Sequence, residues 1–271
     1  MRQNIYDDEA FFRGYADLRA SPGNLNDLVE QPALRARRPP LAGVSVLDMG
    51  CGAGDLSAYC AGQGAARIVA ADISEKMLRV AREQNAHPKT EYVREAIEDL
   101  SFAPATFDVV VSSFAVHYVS DYAALTANVS WWLRPGGAFV YSTEHPMTTA
   151  RKAGAQNWVR DEAGNRLYWP VDDYGAEGER RFHWFVDGVA KYHRTMATLV
   201  NGLVGAGLAV TQIVEPVASE EALRREPGLA TLARLPGCLI VKSVKRARLE
   251  RTMPGRARLC GLWPESTASR C

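Results

Sequence analysis

The 271 residues include only five cysteines (Cys51, Cys60, Cys238, Cys260 and Cys271), with no CxxC pair and no Cys, His or acidic spacing that matches a zinc or calcium site. Free thiols in a reducing compartment are therefore expected, with neither a disulfide framework nor a metal. No apolar run approaches the ~20 residues that cross a bilayer, and the opening MRQNIYDDEAFF is too polar and acidic for a secretory leader. Both point to a cytoplasmic protein without a membrane partner. The formal net charge is only +1, and no basic face with interleaved aromatics is present, so no nucleic-acid partner is expected. Internal repeats and long low-complexity segments are also lacking. One local imbalance remains: from Lys245 onward seven Lys/Arg face two Glu, a basic tail (246–271) that reads as a solvated end or an interaction arm.

What is present is an alternation. DDEAFFRGYADLRA places Phe11, Tyr15 and Leu18 at i, i+4 and i+7, the spacing of one helix face. RARRPP follows as a linker that closes an N-terminal helical segment, 1–40. Strands and helices then take turns. VSVLDMG, ARIVAADI, TEYVREAI, FDVVVSSFAV and AFVYSTE read as strands; DLSAYCAGQG, SEKMLRVAREQNA (Ser74 as N-cap) and DYAALTANVSWWL, stopped by RPGG, read as helices. The rhythm breaks at 146–195, an aromatic- and charge-rich insertion expected to form a cap or hairpin. It resumes with MATLVNGLVGAG, LAVTQIVEP and GCLIVKSVK. The last two strands lack an obvious crossover helix between them and are expected to pair antiparallel at the sheet edge. The fold class is α/β: a Rossmann-like, doubly wound, seven-stranded, mostly parallel sheet, with the main domain spanning 41–245.

The stretch VLDMGCGAGDLS carries Gly50, Gly52 and Gly54 directly after the first strand. A nicotinamide fingerprint needs a third glycine where Asp55 stands, so the dinucleotide reading fits poorly. Asp48, two residues before the first glycine, would repel a pyrophosphate and attract a cation. One strand further on, Asp72 ends ARIVAADI, where an acid can accept hydrogen bonds from ribose hydroxyls or cap the next helix. A cationic adenosine without pyrophosphate fits this set.

VLDMGCGAG, the AADIS strand end, EAIEDLSF, FDVVVSSFAVHYV and LRPGGAFVYS resemble, in order and spacing, the successive motifs of class I S-adenosylmethionine-dependent methyltransferases, in the branch related to ubiquinone and menaquinone methyltransferases. The likeness spans residues 44–145 by motif and 195–245 by architecture. It implies S-adenosylmethionine as cofactor, with S-adenosylhomocysteine as product. It also implies that Gly50, Gly52 and Gly54 approach the methionyl part, with Asp48 near the amino group and Asp72 on the ribose. Ile73 would pack on adenine, Glu95 or Ala96 would meet its edge, Ile97 would flank it, and the Ser113 carbonyl would face the amino group. Ile97 departs from a position often polar in relatives. In this family an N-terminal segment commonly folds over the cofactor, which assigns Tyr6 and Tyr15 to such a lid; Arg19 could pair the methionine carboxylate or be a solvated helix residue.

Beyond the fourth strand, Phe114 is expected near the methyl group, or as a packing contact. His117 is either a base or a turn histidine, and Tyr118 is a substrate contact. His145, Tyr174 and His193 are further substrate candidates with structural readings beside them; acidic Asp172, Asp173 and Glu177 flank Tyr174. The expected partner is a small molecule, with room for a homo-oligomer. With no certain base, several aromatics and acids near the mouth, nitrogen is the expected nucleophile. The NIYDDEAFF…YADLR opening also resembles N-methyltransferases that tailor actinobacterial antibiotics of the lincosamide type. The alternatives are O- or C-methyl transfer with His117 or His145 as base, and a catalytically silent cofactor-binding protein. A pocket enclosed by Tyr6, Phe114 and the insertion separates the last from an enzyme.

Overall fold

In the computed structural model, which describes residues 3–152 and 157–246, the chain opens with α1 (Glu9–Ala20), a single π-turn at Asn26–Glu30 and α2 (Gln31–Arg35). Strand–helix alternation follows as β1 (Ser45–Met49), α3 (Asp55–Gly62), β2 (Arg67–Asp72), α4 (Glu75–Gln84), β3 (Thr90–Arg94), β4 (Phe107–Ser112), α5 (Tyr122–Trp132) and β5 (Leu133–Glu144). The insertion begins with α6 (Pro146–Thr149) and holds two small hairpins, β6 (Val159–Arg160) with β7 (Arg166–Tyr168), and β8 (Gly178–Trp184) with β9 (Val186–His193). The chain returns through α7 (Met196–Gly205), β10 (Leu208–Val214), α8 (Glu220–Arg225) and β11 (Cys238–Lys245). Cys260, Cys271 and all of the basic tail after Arg246 lie outside the described residues.

The seven sheet strands stand in the order β10-β11-β5-β4-β1-β2-β3. Pairing is parallel from β3 to β5, while β11 runs against both β5 and the edge strand β10, the antiparallel pairing expected at that edge. β1, β2 and β4 are near-continuous apolar runs because helices cover both faces. One face packs Phe107, Phe139 and Trp132 under α5 and α7; the other packs Val46, Ile68 and Val140 under α3 and α4. Phe107 is fully buried and meets Phe102 edge-on, with ring centroids 5.0 Å apart. Phe107→Ala is therefore expected to cost about 3–5 kcal/mol, read as a lowered midpoint in urea unfolding.

Three local readings change. Strand pairing begins at Leu133, opposite Phe107, rather than after RPGG, so β5 runs for 12 residues. RARRPP is docked rather than free: the Arg35 and Arg38 guanidiniums lie 4.3 and 4.9 Å from the Tyr59 ring centroid of α3. On α1, Phe11 is buried but Leu18 is exposed, because the end of that helix rises over the cavity described next.

Candidate functional site

Chain order carries β1, β2 and β3 one way across the sheet, and β4 and β5 the other. The crevice outside the carboxyl ends therefore opens between β1 and β4, the switch point at which such sheets bind ligands. A cavity of about 1810 Å³ lies there, roofed by residues of the N-terminal segment and of the β8–β9 hairpin. Eight carboxylates but only three guanidiniums line it, which biases its field toward cationic ligands.

The floor is the turn after β1. Gly50 has φ +71°, and a Cβ there would sit 2.3 Å from the Ala115 Cβ. Gly54, at φ +86°, lies outside the cavity lining; a Cβ would meet the Tyr92 hydroxyl at 2.5 Å, so this glycine serves the packing under α3 rather than a ligand. Gly52 lines the cavity and donates its N–H to Asp72 Oδ2 at 2.9 Å. Asp48 is buried beside this loop. Its Oδ2 accepts from Ser57 Oγ at 2.7 Å, but its Oδ1 has no hydrogen-bond partner. Burial pushes its carboxyl up to about 7 against the Ser57 bond, and the carboxylates of Asp72, Asp55 and Glu30 push the same way. An unpartnered carboxylate oxygen at a cavity floor is costly unless a donor arrives from the ligand.

Asp72 accepts from Gly52 N through Oδ2 and from Ser74 N through Oδ1 at 2.9 Å. A carboxylate has about four acceptor sites, and with the Ile73 N–H also acting on it, acceptor capacity remains for a hydroxyl donor. Ile73, Ala96 and Ile97 line the wall beside it; Glu95 does not, being an exposed residue whose backbone N–H is bound to the Asp72 carbonyl. The N-terminal segment is tied to this wall: Asp7 Oδ1 accepts from Ser74 Oγ at 2.6 Å and from Lys76 N at 3.1 Å, capping α4.

Past Ser113 the cavity turns toward the ends of β4 and β5. Phe114 lines it in the left-handed region (φ +50°), its N–H donating to Ser142 Oγ at 3.0 Å. His117 is buried and lines it too. Burial holds its imidazole down to about 4 despite the nearby Glu144 carboxylate, so it is neutral at pH 7. The Glu144 N–H donates to its Nδ1 at 3.4 Å, which leaves the proton on Nε2. Tyr6 and Tyr118 face one another, their hydroxyls 3.4 Å apart; burial raises both phenols. Trp184, at the hairpin tip, stands edge-on to Phe11 at 5.2 Å and to Tyr15 at 6.1 Å, joining hairpin and N-terminal helix over the cavity.

Among the sequence candidates, Tyr6, Tyr15, Arg19, Asp48, Gly50, Gly52, Asp72, Ile73, Ala96, Ile97, Ser113, Phe114, His117 and Tyr118 converge on this one cavity. His145, Tyr174 and His193 do not. His145 Nδ1 caps α6 and its Nε2 meets Glu215 at 3.0 Å. His193 bonds Thr149 Oγ1 and the Tyr174 carbonyl, and the Tyr174 hydroxyl accepts from Met196 N; these bonds hold the base of the insertion together and tie it to the start of α7. Glu177 is likewise spent on Thr195, and Asp173 on Lys152 N. Arg19 lines the cavity with its guanidinium bound to Asp27 (3.0 Å), Asp55 (3.3 Å) and Asn24.

Sequence reasoning missed the buried Glu30 on the π-turn, which accepts from Ser142 Oγ (2.5 Å), Ser113 Oγ (3.0 Å) and Gln31, and so ties the N-terminal segment to the ends of β4 and β5. Glu144, Trp184 and Tyr192 were missed as well. Glu30 lies 112 residues from Ser142, and no local pattern announces such a contact.

The residues fit S-adenosylmethionine: a buried, unpartnered carboxylate oxygen for its ammonium, a second strand-end carboxylate with free acceptor capacity for its ribose, and apolar walls for its adenine. A family profile described as "Methyltransferase domain" matches residues 46–137. An uncharacterized protein of Haemophilus influenzae is 34% identical over 224 residues, covering 80% of this chain and 88% of that protein. The crystal structure of an S-adenosylmethionine dependent methyltransferase from Mesorhizobium loti is 36% identical, with TM-score 0.75, covering 84% of this chain and 99% of that one. A ubiquinone biosynthesis O-methyltransferase of Xylella fastidiosa is 38% identical over 111 residues, 40% of this chain; the chain spans 45% of that protein's length. Taken with the cavity geometry, these likenesses show that the chain belongs to the class I S-adenosylmethionine-dependent methyltransferases.

Proposed function

We propose that the enzyme methylates an amine nitrogen of a small molecule, with residues 1–40 as a lid and the β8–β9 hairpin as a cap. The resemblance of its N-terminal segment to antibiotic-tailoring enzymes suggests a secondary metabolite as acceptor. When bound, S-adenosylmethionine supplies a methyl already activated on a sulfonium. What remains for the chain is to align the nucleophile and exclude water, an effect that can supply about 7–11 kcal/mol. Asp48 would hold the ammonium, Asp72 the ribose, and Ile73 and Ile97 the adenine. Tyr6, Phe114, Tyr118 and Trp184 would close round the reacting groups, their ring faces favouring cationic ones.

The observation that carries nitrogen is the state of His117. It is the one histidine lining the cavity among the described residues, and burial makes it a weak base whose acceptor nitrogen is already engaged. Hydroxyl or carbon nucleophiles need a base near neutrality; an amine reaches its neutral, nucleophilic form by losing a proton to water in a prior equilibrium. The partial likeness to an O-methyltransferase favours a second reading, oxygen transfer with His117 as base. The two part in one experiment. Labelled S-adenosylmethionine is incubated with enzyme and a metabolite extract, and the labelled product is identified by mass spectrometry. An N-methyl product is expected, with His117→Asn retaining turnover within about threefold, as general-base loss would cost about 10²–10⁴-fold. An O-methyl product, with turnover lost in that variant, overturns the nitrogen reading.

A further inference from the structure

Glu144, the last residue of β5, also lines the cavity, with its side chain 26% exposed. Its Oε1 accepts from Lys191 Nζ of β9, and no hydrogen bond from the described residues reaches Oε2. Lys191 is buried behind the carboxylate, with its ammonium 4.7 Å from the Trp184 ring centroid and 5.7 Å from that of Phe182. Lys191 itself does not line the cavity, so the cavity meets a carboxylate braced from behind rather than an ion pair viewed from the side. Burial pushes the Glu144 carboxyl up, but the charge and hydrogen bond of the Lys191 ammonium pull it below the usual carboxylate range, so it stays ionised. Tyr118 is close enough to feel its charge, Trp184 packs on its partner Lys191, and Tyr6 meets Tyr118; their faces suit an apolar body or a cation. Closing this end over a neutral, donor-free acceptor would leave Oε2 desolvated and unpaired; an N–H donor removes that cost.

We infer that Glu144 anchors the acceptor, and that the acceptor is a primary or secondary amine on an apolar or aromatic body. This rests on the nitrogen reading above. An amine that arrives as its ammonium first gives one proton to water; a remaining N–H donates to Oε2, which fixes the direction of the nitrogen lone pair. As that lone pair forms the N–C bond, the bond from methyl to donor sulfur breaks with its electrons left on sulfur. The positive charge passes to nitrogen, and its proton then leaves to water. A fixed carboxylate beside the nitrogen favours that developing charge. Lys191 is a positioning residue, holding the carboxylate ionised and pointed.

The test titrates S-adenosylhomocysteine-saturated enzyme with 2-phenylethylamine, and with 2-phenylethanol as the neutral control, by calorimetry at pH 7. The amine is expected to bind more tightly than the alcohol. Glu144→Gln should weaken the amine roughly ten- to a hundredfold, leaving the alcohol and S-adenosylhomocysteine within about twofold. Lys191→Met, which removes the group that keeps the carboxylate ionised and pointed, should also weaken the amine and move the onset of its binding to higher pH, a shift that a purely structural pair would not produce. Amine binding that is absent in the wild type, or unchanged in Glu144→Gln, overturns the assignment. The label experiment separates the two ideas: an O-methyl product with Glu144-dependent amine binding sinks only the nitrogen reading. An N-methyl product formed equally well by Glu144→Gln sinks only the anchor.

Discussion

Gly50→Ala is expected to lose both stability and cofactor. The added Cβ would lie 2.3 Å from the Ala115 Cβ, itself on the turn after β4, so neither side can swing away as a long side chain would. The left-handed backbone (φ +71°) adds about 1–2 kcal/mol, and overpacking about 1–3 kcal/mol. Relief would move the turn and with it the two backbone N–H groups, Gly50 and Cys51, that are anchored on the Ala71 carbonyl. A displacement of about 1 Å in such a cradle costs on the order of 100-fold in turnover. Thermal unfolding, S-adenosylhomocysteine calorimetry and turnover read the three effects. An alanine variant with unchanged melting temperature and near-native affinity would show that the loop is no rigid cradle.

Asp48→Asn is expected to separate affinity from stability. A hydrogen bond to a charged group is worth about 1.5–3 kcal/mol, so S-adenosylhomocysteine should bind about 10- to 150-fold more weakly. The wild type should show the same dependence through pH. With its carboxyl raised to about 7, Asp48 is protonated in mildly acidic solution, and affinity should fall as pH drops below about 7, a slope the asparagine variant loses. Stability runs the other way. The folded group holds its proton above the ordinary aspartate value of 3.8, so its contribution is complete below that value and drains away as pH climbs to about 7. The unliganded asparagine variant should therefore gain on the wild type across that window, measured as the difference in melting temperature at matched pH. An asparagine variant that binds as tightly as the wild type at pH 8 would remove Asp48 from the ammonium site.

Much of the donor half was legible because its parts are local. Asp48, Gly50 and Gly52 sit within five residues, and Asp72 ends the next strand, so strand length and loop position place them without any long-range contact. Gly54 shows the limit: its spacing matches its neighbours, but its φ of +86° and the Tyr92 hydroxyl give it a packing role. The acceptor half was hardly legible. His145, Tyr174 and His193 have the chemistry of site residues, and nothing local says that each is spent instead on structural partners, Glu215, Met196 N and the Tyr174 carbonyl. Glu144 and Lys191, 47 residues apart, read in sequence as a strand-end acid and a hairpin lysine.

The sequence by itself determined the α/β sheet, its switch-point crevice and the methyl donor. Apolar runs of strand length between amphipathic helices allow few other topologies, and a carboxylate before a glycine turn selects a cation over a pyrophosphate. Tertiary structure alone decided the acceptor end. That region is assembled from the lid, the tip of β8–β9 and the end of β5, and its electrostatics arise from burial: the same desolvation that makes His117 neutral is outweighed at Glu144 by a lysine from another strand.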